Sequence, residues 1–315
     1  MIYLQYLQFS INAVFPLLVM MSIGFLFQKI GWISSNTTKE INACIFKLFL
    51  PLLIFFDIAN TDIAQMPDLF VVAYAVIAAL VIFSLLFWLV PRFVKQRSAV
   101  GVIIQGIGRS NYAIFGIPLV LGMYPDQNTS IAIILVVAVV PVFNICSTIA
   151  LMAYGTERKS VWSIVKGILL NPLIISTLLG FLFLLMHWKL PSLLASPLYS
   201  LSRISTPLAL FSLGAGLHFE TAKANIRLLT IGVIGRLIVV PFFGLTIAIL
   251  LGIRGVPLAA LVAMFASPTA VSSCPMAQQL GGDVSLAGAQ VVFTTFFSVL
   301  TVFTWILLLR TLAFL

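Results

Sequence analysis

Long apolar stretches separated by short polar turns recur along the whole chain. The apolar stretches run over about 11–28, 41–60, 69–90, 99–122, 130–153, 164–186, 197–217, 228–252, 256–279 and 285–309. Each is long enough to cross about 30 Å of hydrocarbon as a helix. Breakers mark the turns, as in Gly31-Trp32-Ile33-Ser34-Ser35-Asn36, Tyr124-Pro125-Asp126 and Gly281-Gly282-Asp283. The pattern predicts an all-α integral membrane protein of ten transmembrane helices.

Composition removes the soluble alternatives. Of 315 residues, 62% are hydrophobic and 8% are charged, with a mean hydropathy of +1.19. A soluble domain carries about 25% charged residues, so polar side chains are too few here to cover a water-soluble globule. The net charge of +9 comes from Lys and Arg standing singly or in small groups between apolar runs, which is a topology signal and not a stripe for nucleic acid. Cys44, Cys146 and Cys274 lie far apart within apolar runs and read as small buried hydrophobes. From Met1 to Phe15 there is no Lys or Arg, and no small-residue cleavage site follows, so the opening run reads as a span and not a signal peptide.

Basic residues set the orientation. The odd-numbered loops and their flanks hold Lys29, Lys39, Arg92, Lys95, Arg97, Arg158, Lys159, Lys166, Lys223 and Arg227, whereas the even loops and the C-terminus hold Lys189, Arg254 and Arg310. The odd loops are therefore expected to be cytoplasmic and both termini outside, in a multi-pass protein of the cell membrane. Lys47, Arg109, Arg203 and Arg236 are left within spans.

The chain also repeats itself. Pro16, Gly24, Phe25, Leu26, Phe27 and Trp32 recur as Pro172, Gly180, Phe181, Leu182, Phe183 and Trp188, always 156 positions later. The same offset takes Lys47 to Arg203 and Pro51-Leu52 to Pro207-Leu208; one added residue then takes Asn111 to Pro268, Pro118 to Pro275 and Asp126 to Asp283. Residues 1–156 and 157–315 thus read as two repeats of five spans each. An odd number of spans makes the second copy enter from the opposite side, giving an inverted repeat of the kind found in secondary transporters.

Spans four and nine are the most interrupted matched pair. Span four contains Gly106, Gly108, Ser110, Asn111, Gly116 and Pro118, and span nine contains Ser267, Pro268, Thr269, Ser272, Ser273 and Pro275. Proline removes backbone donors, and in hydrocarbon the groups left over need protein, water or a ligand as partner. Gly, Ser and Thr also serve plain helix packing, but Arg109 adds a charge that costs about 2.5–3.5 kcal/mol at the bilayer centre even on an insertion scale. An anion is its simplest partner, with half-helix N-termini adding donors at the same place.

Three duties fit Lys47 and Arg203: bonding to unwound backbone in spans four or nine, direct contact with a substrate, or snorkelling to an interface. Arg236 has no cationic counterpart one repeat earlier and reads as a paired or snorkelling residue. Asp57, near the outer end of span two, fits a helix-end carboxylate or a proton relay. His187 and His218 fall at span ends without ligand neighbours, so neither a metal nor a cofactor is expected.

The segment Arg109-Ser110-Asn111-Tyr112-Ala113-Ile114-Phe115-Gly116-Ile117-Pro118-Leu119 resembles the R-x-N-x-x-x-x-G-x-P-L signature of the auxin efflux carrier family. So does Ser267-Pro268-Thr269-Ala270-Val271 with Ala277, Gly281-Gly282-Asp283 and the Thr294, Thr295 and Ser298 of the last span. Phe49-Leu50-Pro51-Leu52-Leu53 and Pro207 through Ala215 are similar to the family's corresponding helices. The resemblance implies a fold similar to that of the bile acid sodium symporters. A scaffold of spans 1, 2, 6 and 7 packs on a core of spans 3–5 and 8–10, whose broken helices cross at Asn111 to Pro118 and Pro268 to Pro275. It also implies cargo such as auxin in plants and malate or malonate in bacteria. The short loop from Gly155 to Lys159 favours a compact bacterial type, close to malate and malonate permeases. Where many relatives carry Asn in span nine, Ser272 and Ser273 stand here. The resemblance is compatible with a homodimer through the scaffold and with coupling to protons. Sodium coupling does not follow from it.

The expected activity is alternating-access transport of a small carboxylate. Arg109 would hold its charge, Ser110, Asn111, Thr269, Ser272 and Ser273 would orient it, and Tyr112 would pack on it. Gly116, Pro118, Pro268 and Pro275 would shape the crossing, with Lys47 and Arg203 as supporting intramembrane cations. A channel or a substrate-sensing receptor on the same scaffold is the alternative. An intramembrane enzyme is disfavoured by the lack of G-x-S-x-G, of H-E-x-x-H and of an intramembrane His beside an acid.

Overall fold

A computed structural model of the chain describes residues 2–61, 69–125, 127–156, 160–217 and 225–315. Asp126, Arg158, Lys159, Lys223 and His218, on which parts of the repeat, orientation and metal expectations rest, lie outside the described residues. The helices are α1 (Ile2–Lys29), α2 (Ser35–Cys44), α3 (Leu50–Ala59), α4 (Leu69–Phe93), α5 (Arg97–Gly108), α6 (Tyr112–Met123), α7 (Ser130–Ala153) and α8 (Val161–Leu169). After them come α9 (Pro172–Leu185), α10 (Ser192–Ala215), α11 (Ile226–Ile234), α12 (Val240–Leu250), α13 (Gly255–Ala266), α14 (Ser273–Leu280) and α15 (Val284–Thr311). Among the described residues the only β pairing is an isolated bridge between Ser110 and Thr269. The protein is an all-helical membrane protein.

A helix or a helix pair lies over each of the ten apolar segments. Among the described residues five are long and apolar enough to cross a membrane as single helices: Ser35–Ala59, Leu69–Phe93, Ser130–Ala153, Ile226–Leu250 and Val284–Thr311. The pair Trp162–Leu169 and Pro172–Leu185, bent by 50°, makes up to six. The bend falls at Asn171, whose side chain caps α9 by accepting from Leu173 N, with Pro172 in the first turn where a missing N–H costs nothing. The halves of segments four and nine are each short because an extended stretch interrupts them. α10 carries Arg203 and many serines along its length.

Two helices contain a π turn just before a proline. Ile45–Phe49 joins α2 to α3 ahead of Pro51, and Gly235–Val239 joins α11 to α12 ahead of Pro241. A proline lacks its N–H and crowds the carbonyl one turn back, and a widened turn relieves both faults. The second π turn contains Arg236.

Residues 156 positions apart make like contacts. Phe27 meets Trp32 edge-on with ring centroids 4.8 Å apart, as Phe183 meets Trp188 at 5.7 Å. Phe27 packs on Phe211 at 5.6 Å, and Phe183 packs on Phe55 at 5.1 Å. Helix ends match too: Gly31 and His187 both adopt positive φ, 81° and 53°, and Trp32 N and Trp188 N donate back to Phe27 O and Phe183 O. Accordingly α1 packs on α10 and α9 packs on α3. At Gly24 a Cβ would collide with the Phe211 carbonyl oxygen, and at Gly180 it would lie 3.2 Å from that of Phe55. Gly24 is required because backbone meets backbone there, and Gly180 makes the equivalent, slightly looser approach.

A second group packs α5 and α4 against α7, α13 against α6 and α12, and α14 against α15. α1 also lies along α15, and α2 meets α14, so the two groups touch at more than one place. Cys146 and Cys274 are buried as expected, but Cys44 is exposed, because it lies on the outer face at the end of α2.

Candidate functional site

Two breaks meet at the middle of the second group. Arg109–Asn111 separates α5 from α6, and Ser267–Ser272 separates α13 from α14. The stretches run antiparallel: Asn111 N donates to Pro268 O at 2.9 Å and Ala270 N to Arg109 O at 3.3 Å. The crossing therefore centres on Ser110 and Thr269. Pro268 lies in it, while Pro275 is in the first turn of α14 and Pro118 lies farther on, exposed within α6. Gly116 is a packing position, where a Cβ would collide with the Tyr112 ring.

Breaking two helices strands their last carbonyls, which must find donors inside the protein. Arg236 supplies most of them. Its Nε donates to Ser267 O at 2.8 Å, Nη1 to Ile107 O at 3.0 Å, and Nη2 to Met264 O and Phe265 O at 2.8 and 3.0 Å. Thr269 Oγ1 donates to Gly106 O at 2.7 Å, Thr294 Oγ1 accepts from Thr269 N at 3.1 Å, and Ser267 Oγ donates to Ala263 O. One guanidinium thus faces the negative ends of α5 and α13 together. The duty open to Lys47 and Arg203, bonding unwound backbone, is carried by Arg236, and both of those cations are exposed. Arg203 stands 6.0 Å from the Tyr199 ring centre.

Arg109 differs. It is 5% exposed, and its two partners are Ser272 Oγ, at 2.8 Å from Nη2, and Met276 Sδ, a weak acceptor. It lines a cavity of about 70 Å³ together with Ser110, Asn111 and Ser272 from the breaks. The opposite wall is Leu50, Leu53, Ile54 and Asp57 of α3 and Ser205, Thr206 and Ala209 of α10. Ser110 Oγ, Asn111 Nδ2 and Ser205 Oγ are buried without a hydrogen-bond partner among the described residues. The N-termini of α6 and α14 carry no side-chain cap. Cation, idle donors and helix N-termini in one place suit an anion.

Other residues expected at this site lie elsewhere. Tyr112 is fully buried, turned away from the cavity lining, with its Oη donating to Ala132 O at 2.9 Å. Thr269 is committed to the crossing, and Ser273, also buried, is not in the lining. The α3 wall was findable in the sequence, since positions 50, 53, 54 and 57 share a helical face.

A second polar cluster ties the α14 half to the first group of helices. Asn42 Nδ2 donates to Gln278 Oε1 at 2.9 Å, Gln278 Nε2 to Lys39 O at 2.8 Å, and Ser212 Oγ to Asn42 Oδ1 at 2.8 Å. It lies at the α2 end of the α2–α3 run, about 22 Å along the helix from Asp57.

Comparison with known proteins bears on the whole chain. A family model described as membrane transport protein, that of the auxin efflux carriers, matches residues 9–306. An uncharacterized transporter of Methanocaldococcus jannaschii is 24% identical over 301 residues, covering 93% of this chain and 97% of that protein. An uncharacterized transporter of Methanothermobacter thermautotrophicus is 22% identical over 299 residues, covering 94% and 97%.

Proposed function

The chain belongs to the membrane transport protein family of the auxin efflux carriers, and from that premise we propose that it is a secondary carrier moving a small organic anion, a carboxylate, by alternating access. The observation that carries this reading is the cavity where Arg109, bound to no acid among the described residues, meets idle polar atoms and uncapped helix N-termini. Asn111 and Ser110 orient the anion from one break, and Ser272 from the other.

We read the chain as ten spans in two inverted repeats, 1–156 and 157–315, with scaffold spans 1, 2, 6 and 7 and core spans 3–5 and 8–10. The paired contacts of Phe27 and Phe183, and of Gly24 and Gly180, support it. So does the bond between Asn111 and Pro268, because residues equivalent under a two-fold axis meet only where that axis passes. The cavity lies between scaffold and core, and the Asn42–Gln278–Ser212 cluster joins scaffold to core on the side of loops one and nine. On the basic-residue rule that side is cytoplasmic and both termini are outside.

A cavity of about 70 Å³ is far below the roughly 300 Å³ at which ligand pockets begin, so it must widen to load, as a carrier does and an open channel does not. The test is labelled malate in liposomes holding purified protein, with unlabelled malonate, acetate or malate inside. Saturable uptake accelerated by internal acid is expected. Flux that never saturates and ignores the internal acid would mean a channel, and no flux of any acid would end the carboxylate reading.

A further inference from the structure

The scaffold wall of the cavity holds a carboxylate that anion binding leaves without a role. Asp57 shares one face of α3 with Leu50, Leu53 and Ile54, and all four line the cavity with Arg109, Ser110, Asn111 and Ser272. Among the described residues no side chain hydrogen-bonds the Asp57 carboxylate; Thr61 Oγ1 bonds its carbonyl oxygen instead, at 2.7 Å. The carboxylate is therefore not committed to the fold.

The charges around it are few. Arg203, the one charged residue of α10, acts on Asp57 electrostatically, and Arg109 lies across the cavity. Lys47, about 15 Å back along the helix, is exposed. α9, which packs along α3, has no ionisable side chain over Pro172–Leu185; His187 and Lys189 follow its end, near Asn60 and Thr61.

We propose that Asp57 is the proton-accepting residue of this site, so that the anion and a proton bind together. The inference rests on the anion reading of the cavity. Asp57, itself partly open to solvent, borders the same narrow space as Arg109, Asn111 and Ser272, so an anion held by those residues stands near its carboxylate. Two like charges so placed repel strongly, whereas the neutral acid removes the repulsion and offers an O–H to the anion. Anion and proton then raise each other's affinity by the same factor. For a singly charged anion such as acetate, charge is also conserved: an empty cavity holds Arg109 and ionised Asp57, and a cavity with that anion and one proton has the same net charge; with doubly charged malate the proton leaves one extra negative charge instead of two. Alternating access requires the empty and the loaded forms both to reorient, and the proton keeps their charges close enough for both to do so.

The test is calorimetric titration of malate into the purified full chain, in two buffers of different ionisation heat, which counts protons taken up per anion bound. Titrations span about pH 6.5 to about 8.5, where free carboxyls stay ionised. The wild-type chain should take up about one proton per malate, with affinity falling toward tenfold per pH unit as pH rises. Asp57→Asn, a mimic of the neutral acid, should bind malate with no proton uptake and no pH dependence, and Asp57→Glu should restore both. Zero uptake in the wild type, unchanged uptake in Asp57→Asn, or a monodisperse Asp57→Asn that does not bind would each overturn the proposal. Binding that needs Arg109 but moves no proton would leave the carrier reading standing and remove Asp57 from it. No binding of malate, malonate or acetate by the wild type would end both.

Discussion

Arg236 and Arg109 are buried within one crossing, and they do opposite work. Arg236, 1% exposed, gives its donors to four backbone carbonyls from the ends of two half-helices. Among the described residues the Arg109 guanidinium bonds one hydroxyl and one thioether, and it lines the cavity. A buried charge is tolerated only when it is paired or hydrogen-bonded. For Arg236 the protein meets that need in full; for Arg109 it leaves part of the need to something else. The difference teaches that burial alone does not mark a binding residue in a membrane protein. What marks it is burial with donors left over.

The sharpest way to break this comparison is Arg236→Ala. Four carbonyls lose their donor, each leaving about 1–3 kcal/mol of unmet desolvation, a sum comparable with the whole stability of a domain. Folded protein recovered by size-exclusion chromatography should fall more than about tenfold, and Arg236→Lys, a point charge without the planar fork, should rescue it only in part. Arg109→Ala should show the opposite profile, with the elution peak retained and affinity for the anion reduced about 10–100-fold, the worth of roughly 1.5–3 kcal/mol for a charged hydrogen bond.

The polar cluster between α2, α10 and α14 offers a finer test. Gln278→Ala removes bonds to Asn42 and Lys39, each worth about 0.5–1.5 kcal/mol. Labelling of a cysteine placed at Ala209 should shift by about five- to a hundredfold between the two sides of the membrane, with folding intact. The smallest effect is expected for Tyr112→Phe, which deletes the bond to Ala132 O: a slightly lower melting temperature and uptake within about twofold of wild type. A large loss of uptake there would place Tyr112 back at the substrate.

Much of this was legible in the sequence. Gly108-Arg109-Ser110-Asn111 and Ser267-Pro268-Thr269 announce interrupted helices because no helix holds such runs at mid-membrane without help, and the structure breaks at both. The constant offset from Pro16 to Pro172 announces like contacts, which Phe27 and Phe183 make. The roles of the cations were not legible. Lys47 and Arg203, matched by the offset, look like the structural pair, yet both are exposed. Arg236, unmatched, does the structural work from within a π turn, which shifts the helical register of its side chain and which no local pattern marks except Pro241 after it. Tyr112 and Ser110, two residues apart, part ways because the backbone turns from extended to helical between them.

The most direct measurement is labelled-malate counterflow in liposomes by Arg109→Ala beside wild type, at equal amounts of monodisperse protein. Saturable exchange by the wild type and, at malate below its half-saturation, a rate about 10–100-fold lower for the variant is the predicted result. Full exchange by Arg109→Ala would contradict the claim that the cavity at the crossing is where the anion binds.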